Sequence, residues 1–310
     1  MTATALRALL ASDHVTHVPG VYDPVTAALA VRAGHRAVHL SGAAVTAIAL
    51  GGADLGFAHG TQIADRATTL IPALGGVPLL ADAGTGYDDP LHAVWTGLAY
   101  ARAGISGLHL DDQVNPDHRG QPVGNQVGGR ERAGRAVAGR EIAGREIAGI
   151  GLAAAKISAL ADQVPELALI ARTSTYAAHG LAETIVRCRA YAEAGADAVL
   201  PEGVDSLDEL AEMHRAMPGV PIVISRSEAG GNHPAITDAD LAAVGVRLVL
   251  HPVSALLAAM RAASLVYRAI AESGSAEPVD RMPWAAFTAL VGQEEALDPD
   301  ARYVPGGLQT

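Results

Sequence analysis

Short apolar or β-rich runs recur along the chain at His17–Val21, Ala37–Ser41, Val77–Asp82, Gly107–Asp112, Leu167–Thr173, Ala198–Glu202, Pro221–Ser225 and Arg247–Pro252. Between them lie Ala-rich stretches with apolar positions at helical period: Pro24–Ala33, Thr61–Leu74, Pro90–Ala103, Leu181–Ala194, Leu207–Met217 and Thr237–Val244. A continuous apolar run bounded by turn residues marks a strand buried on both faces, and strand alternating with helix predicts a parallel sheet. A first helix is expected at about Ala5–Ala11. At Ala33-Gly34, Ala103-Gly104 and Ala194-Gly195 a glycine follows the last helical alanine, where a left-handed cap ends a helix before the next strand. Eight such units close naturally into a (β/α)8 TIM barrel. An open doubly wound sheet is the alternative, but no G-x-G-x-x-G opens a first helix to support it.

Two regions break this rhythm. Gly120–Gly151 contains a five-residue step, Ala133-Gly-Arg-Ala-Val, Ala138-Gly-Arg-Glu-Ile, Ala143-Gly-Arg-Glu-Ile and Ala148-Gly-Ile-Gly-Leu. Period five fits neither helix nor strand, and each glycine weakens a helix by about 1 kcal/mol against alanine. A Gly/Arg-rich loop inserted at about 115–151, after the fourth strand, is the expectation. Beyond Pro252 a long helical pattern runs to about Glu272, followed by Pro283–Gln293 as a further helix and a polar tail. The expected organisation is therefore a barrel over 1–265 and a C-terminal helical appendage over 266–310, suited to packing or oligomerisation.

Composition narrows the chemistry. Half of the 310 residues are hydrophobic, yet the apolar runs are short and interrupted, so neither a transmembrane span nor a secretory signal is expected and a cytoplasmic protein follows. A formal net charge of −11 argues against nucleic acid or an anionic membrane as the main partner and leaves small molecules. The single cysteine, Cys188, lies in an amphipathic helical pattern and rules out an intramolecular disulfide or a Cys-based zinc cluster. Lys156 is the only lysine and sits in a helical Ala-rich segment, which excludes a Schiff-base aldolase with its lysine inside the barrel. A P-loop, a His-Glu-x-x-His motif and a nucleophile elbow are all missing.

The charges collect at strand ends, where parallel α/β folds bind their ligands. Val77-Pro-Leu-Leu-Ala-Asp-Ala-Gly-Thr-Gly-Tyr87 is an apolar run that ends in a carboxylate and two glycines. Asp111 and Asp112 close the fourth strand, Arg172 the fifth and Glu202 the sixth, while Ser41-Gly42-Ala43 follows the second. Period two puts His109 and Asp111 on one face and Leu110 and Asp112 on the other. Any one of these charges could be a helix cap or an ion pair. If Asp111 faces inward, however, Asp82, Asp111 and Glu202 converge on one mouth of the barrel. Two carboxylates about 5 Å apart repel by about 3 kcal/mol at an effective dielectric near 20, so an empty cluster raises their pKa values or demands a cation. Oxygen-only ligands suit Mg²⁺ or Mn²⁺.

At these residues the sequence resembles the isocitrate lyase and phosphoenolpyruvate mutase superfamily, and within it the methylisocitrate lyase-like enzymes. Pro19-Gly-Val-Tyr-Asp23, His39-Leu-Ser-Gly-Ala43, Ala53-Asp-Leu-Gly56, Asp111-Asp-Gln-Val114, Ile170-Ala-Arg-Thr173, Gly195-Ala-Asp-Ala-Val-Leu-Pro-Glu202 and Leu250-His-Pro-Val-Ser254 fall in family order. The resemblance implies a (β/α)8 barrel, often with its last helix exchanged between subunits, in homodimers or homotetramers. It implies Mg²⁺ held directly by Asp82, with Asp54, Asp111 and Glu202 around it. Gly42 and Ala43 amides with Arg172 would hold a substrate carboxylate, and Ser41 and Ser225 stand beside them as substrate-binding residues.

Departures from the family pattern are specific. Asp82-Ala-Gly-Thr-Gly replaces Asp-x-Asp-Thr-Gly, so Gly84 removes a carboxylate from the metal's surroundings. Asp111 replaces a glutamate, Ser174 an aspartate and Ser225 an asparagine. Asp117-His-Arg-Gly-Gln121 stands where family lyases carry Lys-Arg-Cys-Gly-His with the cysteine as general acid. The Lys-x-Asn-Ser loop of the phosphoenolpyruvate mutases is also missing. His118 or Arg119 is expected to supply what that cysteine cannot. The expected function is a Mg²⁺-dependent C–C lyase acting on a small 2-oxo or 2-hydroxy carboxylate through an enolate. Carbon–phosphorus chemistry of the mutase or phosphonopyruvate hydrolase kind, or a catalytically decayed carboxylate-binding protein, are the alternatives.

Overall fold

A computed structural model describes residues 2–54, 56–87, 89–114, 146–226 and 236–293. Eight parallel strands are joined in the order β1-β8-β7-β6-β5-β4-β3-β2, and a parallel bridge from Gly20 to His39 brings the two ends together into a barrel. The strands are β1 Thr16–Pro19, β2 Val38–Leu40, β3 Leu79–Asp82, β4 Gly107–Asp111, β5 Ala168–Thr173, β6 Ala198–Pro201, β7 Ile222–Ser225 and β8 Val246–His251. Each falls inside one of the apolar runs or overlaps it, as the alternation of strand and helix requires.

Side chains alternate across each strand. Val18, Leu80, Ile170, Leu200, Val223 and Leu250 point into the barrel, where Leu6, Leu9 and Leu10 of α1 (Thr2–Leu10) plug its N-terminal end. The outward residues, among them Leu79, Leu108, Leu169 and Val199, pack under the surrounding helices. These are α2 (Pro24–Arg32), α3 (Gly42–Leu50), α4 (Gly60–Leu70), α5 (Pro90–Arg102), α6 (Ile150–Gln163), α7 (Tyr176–Glu193), α8 (Leu207–Ala216) and α9 (Asp238–Ala243). The core is thus filled below the last inward residue of each strand, and charged side chains, Asp82, Asp111 and Arg172 among them, line the opposite mouth.

Several boundaries differ from the sequence expectation for identifiable reasons. Gly42–Leu50 is helical although it reads GAAVTAIAL, a run apolar on every side that lacks the polar stripe by which a surface helix is recognised. The expected Thr61–Leu74 helix ends at Leu70 and tightens into a 3-10 turn, Ile71–Leu74, at Pro72. The helix expected from Leu181 extends back to Tyr176 across a break at Gly180, whose φ is +77°. Residues 115–145, including most of the expected insertion, lie outside the described residues; its last part, Ile150 onward, begins α6. The chain re-enters beside the point where it left, with Val114 N–H donating to Glu146 O at 2.8 Å and Ala148 N–H to Asp112 O at 2.8 Å.

After the barrel come α10 (Ser254–Ser273) and α11 (Trp284–Leu290). The expected division at 265 falls within α10. Only Leu256 of that helix is buried, while Leu257, Met260, Tyr267 and Ile270 are exposed. By length and mean hydropathy, 1.3, it is also the one helix among the described residues long and apolar enough to cross a membrane, although Arg261 and Arg268 interrupt it.

Candidate active site

Register brings the polar ends of three strands together. Asp82 pairs with His109, and Asp111 pairs with Arg172, so the inward side chains of β3, β4 and β5 meet at the C-terminal mouth. They border a cavity of about 100 Å³, together with Gly42, Asp54 and Tyr87. Asp111 is the inward member of its pair, as alternation requires. Asp112 turns outward, where its Oδ2 accepts from Thr173 Oγ1 (2.7 Å), Tyr191 Oη (2.8 Å) and Arg187 Nη1 (3.1 Å). That buried pair is structural, and it anchors the end of β4 against α7.

Arg172 is the centre of the charge arrangement. Its Nε lies 3.1 Å from Asp111 Oδ2 and 3.2 Å from Glu202 Oε2, at ion-pair distance but off the angle for a hydrogen bond. Burial works against the guanidinium charge, yet Glu202, Asp111, Asp82 and Asp54 hold it more firmly protonated than usual. Ser174 Oγ donates to both oxygens of Asp111, at 3.2 and 3.0 Å. Even so, burial pushes the Asp111 carboxyl up to about 7, because Arg172 and Ser174 offset only part of the desolvation and Asp112 and Glu202 add repulsion.

Asp82 stands differently. Its Oδ1 accepts from Gly84 N–H at 2.8 Å and its Oδ2 from Gly42 N–H at 3.3 Å. Burial would raise its pKa, but His109, Arg172 and the Gly84 amide outweigh burial and hold it below the usual carboxylate range. A Cβ on Gly42 would lie 3.0 Å from Asp82 Oδ2, so glycine lets the first turn of α3 approach the carboxylate. Gly84 has φ +54°, and a Cβ there would meet nothing within 4 Å. The missing carboxylate has left open space.

Of the expected residues, the structure brings Gly42, Asp54, Asp82, Asp111 and Arg172 to the cavity wall. Glu202 joins them through Arg172. Ser41 precedes α3 and is buried, Ala43 lies in its first turn and Ser225 ends β7, but none of the three lines the cavity. His118 and Arg119 lie outside the described residues. Sequence reasoning missed His39, which meets His109 inside the barrel, although alternation from Ala37 would have turned it inward. It also missed Tyr87, whose φ of +70° is unusual for a non-glycine residue and whose ring lies over His59 with centroids 5.5 Å apart.

Among the described residues no three His, Cys, Asp or Glu side chains stand together as a ready metal cluster. The donor set nonetheless fits a hard divalent cation. Asp54, Asp82 and Asp111 supply carboxylate oxygens to one cavity wall, and Asp111 and Glu202 both lie against the single guanidinium of Arg172. The family resemblance implies that Asp82 would hold Mg²⁺ with Asp54, Asp111 and Glu202 near it; of these, Asp54, Asp82 and Asp111 line the cavity and Glu202 contacts Arg172.

The Asp111 shift has a measurable sign. A carboxyl whose folded pKa is raised contributes stability that is fully present below its unfolded value and is lost as pH rises through the folded one. In metal-free protein, Asp111→Asn removes that loss. Relative to wild type it should gain about 3 kcal/mol between pH 5 and pH 8, from roughly two units of titration in that window. Urea unfolding at the two pH values measures this, and a pH-independent difference would contradict it.

The profile of the phosphoenolpyruvate phosphomutase family matches residues 6–271. The chain is 29% identical to the 2,3-dimethylmalate lyase of Eubacterium barkeri over 98% of its own length and 99% of that protein's. It is 32% identical to the 2-methylisocitrate lyase of Bacillus subtilis (strain 168), covering 88% of this chain and 83% of that one. Among solved structures, a 2,3-dimethylmalate lyase superposes with a TM-score of 0.81 at 27% identity over 97% of this chain and 98% of the other. A phosphonopyruvate hydrolase, solved with oxalate and Mg²⁺, superposes with a TM-score of 0.79 at 25% identity over 98% and 100%.

Proposed function

This chain belongs to the phosphoenolpyruvate phosphomutase family, and from that premise we propose that it is a Mg²⁺-dependent carbon–carbon lyase acting on a small 2-hydroxy or 2-oxo carboxylate through an enolate. Both relatives described above are named lyases, which supports cleavage of a carbon–carbon bond, while a relative from Arabidopsis thaliana that matches 97% of this chain is named a carboxyvinyl-carboxyphosphonate phosphorylmutase and supports carbon–phosphorus chemistry as the second reading. The observation that carries the reading is the meeting of Asp82, Asp111 and Arg172 on one small cavity at the C-terminal mouth.

The residues divide the work by their chemistry. Arg172 offers N–H donors and a fixed positive charge to a substrate carboxylate, in exchange for its contacts with Asp111 and Glu202. Gly42 N–H, at the start of α3, is a second donor for the same group once Asp82 turns away from it. Asp111, in the cavity wall beside Arg172 and Ser174, is the carboxylate placed to accept a substrate hydroxyl proton. As that proton leaves, the C2–O bond gains double-bond character and the C2–C3 bond breaks. The electron pair moves to the departing carbon acid as an enolate, which a general acid then protonates. Mg²⁺, when bound, supplies Lewis-acid stabilisation of oxyanion charge. His118 is our candidate for the acid, being able to donate near neutral pH, and Arg119 for a clamp on a second carboxylate.

The same reading places the enzyme in the cytoplasm as a homodimer or homotetramer. The exposed apolar face of α10 supports a second copy as its partner.

A divalent-metal titration followed by thermal shift with oxalate or pyruvate tests the assignment. The enzyme should require both metal and carboxylate for full stabilisation, whereas an oxalate response independent of metal would favour a decayed binding protein. Release of a 2-oxo acid from substituted 2-hydroxy dicarboxylates then separates C–C from C–P chemistry. Because the family cysteine is missing, turnover of methylisocitrate or isocitrate should fall at least about a hundredfold below that of a lyase bearing it. Ordinary turnover on either would remove the argument for a different substrate.

Gly84 yields a converse prediction. Gly84→Asp restores a carboxylate in space the structure leaves open and should tighten Mg²⁺ binding about 10–100-fold. The left-handed backbone there costs a non-glycine residue about 1 kcal/mol, least for Asp or Asn. Calorimetry with Mg²⁺ should therefore show tighter binding in a slightly less stable protein. Unchanged affinity would mean that position 84 does not face the metal.

A further inference from the structure

His39 and His109 are a buried polar pair that the reaction described above does not use. They enter the barrel from β2 and β4, and each is 2% exposed. Their Nε2 atoms are 2.9 Å apart, with ring centroids at 5.1 Å. Neither Nδ1 has a hydrogen-bond partner, and His109 Nδ1 faces Asp82 Oδ1 at 3.7 Å. Unpaired nitrogens this deep call for a reason.

We propose that His39 and His109 are positioning residues for Asp82: His39 donates through Nε2, which fixes His109 as the Nδ1–H tautomer and aims that N–H at Asp82 Oδ1. The inference rests on the reading that Asp82 holds the cation, and it adds what orients that carboxylate.

Two nitrogens 2.9 Å apart share one proton, so one ring donates and the other accepts. Suppose His109 were the donor. Its bare Nδ1 would then present a lone pair to a carboxylate oxygen, and His39 would bury an N–H with no acceptor, the rarer and costlier defect. With His39 as donor, the N–H of His109 faces the carboxylate and only an acceptor, His39 Nδ1, is left bare. Asp82 Oδ1 is then engaged by Gly84 N–H and oriented by His109. Oδ2, which meets only Gly42 N–H at 3.3 Å, keeps its lone pairs for the mouth of the barrel. Partners that hold a ligating carboxylate commonly account for 10–100-fold in metal affinity.

The test uses the full chain, labelled with ¹⁵N-histidine. Long-range ¹H–¹⁵N spectra at pH 7 without metal, with signals assigned from His39→Gln and His109→Gln, should show His109 as the Nδ1–H form and His39 as the Nε2–H form. The opposite tautomers overturn the proposal with no variant or metal needed. Calorimetric titration with MgCl₂ alone follows. His39→Leu, which removes the donor, should weaken binding about 10–100-fold, while His39→Gln, whose amide can still donate to His109, should stay within about threefold of wild type. Equal affinity in wild type and His39→Leu, or equal losses in the two variants, would reduce the pair to packing. Absence of Mg²⁺ binding in wild type would instead sink the metal reading, a result the tautomer spectra distinguish.

Discussion

Asp82→Ala should abolish Mg²⁺-dependent binding of oxalate or pyruvate while leaving the barrel folded. Loss of a group that merely supports a ligand costs about 10–100-fold in metal affinity, so loss of the direct ligand should exceed about a hundredfold. The fold should survive because the Asp82 side chain is 18% exposed and, among the described residues, receives two hydrogen bonds, both from backbone N–H groups next to the cavity. What Asp82 contributes to the core is its backbone: its carbonyl accepts from Tyr100 Oη at 2.6 Å, and alanine keeps that bond. A stability change of about 1 kcal/mol or less is expected. Isothermal calorimetry with Mg²⁺ and thermal unfolding by circular dichroism give the two readouts. Unchanged Mg²⁺ affinity would remove Asp82 from the metal site, and an unfolded variant would mean that the carboxylate is part of the scaffold.

The barrel was legible because its strands are buried on both faces. Runs such as Val77–Asp82, set between Gly75-Gly76 and Gly84, and Leu167–Thr173, set between Pro165 and Ser174, carry no polar stripe, so their lengths and bounding turn residues stand out even though strand-to-strand register cannot be read from them. The helices were legible only where one face is polar. Gly42–Leu50 has no such face, and it was missed although it begins at Gly42, which lines the cavity. Inward and outward positions followed from period two, which separates Asp111 at the mouth from Asp112 in the helix layer. What the alternation could not supply was occupancy. For Asp111 and Glu202 the sequence leaves an ion pair and a cation both open, and the contact that both make with Arg172 is a cross-strand one set by register. His39 was passed over for the same reason, since its partner comes from β4, a strand 70 residues further along the chain.

That arrangement makes Arg172 the residue whose loss should cost most overall. Arg172→Met keeps much of the side-chain volume but leaves Asp111 and Glu202 facing each other without a counter-charge. Removing one partner of a buried ion pair typically costs 3–5 kcal/mol. Asp111, already near 7, can take up a proton and relieve part of that cost. The destabilisation should therefore be smaller at pH 5, where that carboxyl is protonated, than at pH 8, where both charges remain. Activity should fall at both pH values, because the guanidinium is also the donor set for the substrate carboxylate, and loss of such a group costs about 10²–10³ in rate. Arg172→Lys separates the two roles. A single ammonium retains the charge between Asp111 and Glu202, so most of the stability should return, but it cannot reproduce paired contacts to a carboxylate, and kcat/KM should stay low. Urea unfolding at the two pH values and steady-state kinetics of both variants test this. If Arg172→Lys recovered activity along with stability, the arginine would be acting as a buried counter-charge and the substrate carboxylate would have to be held elsewhere.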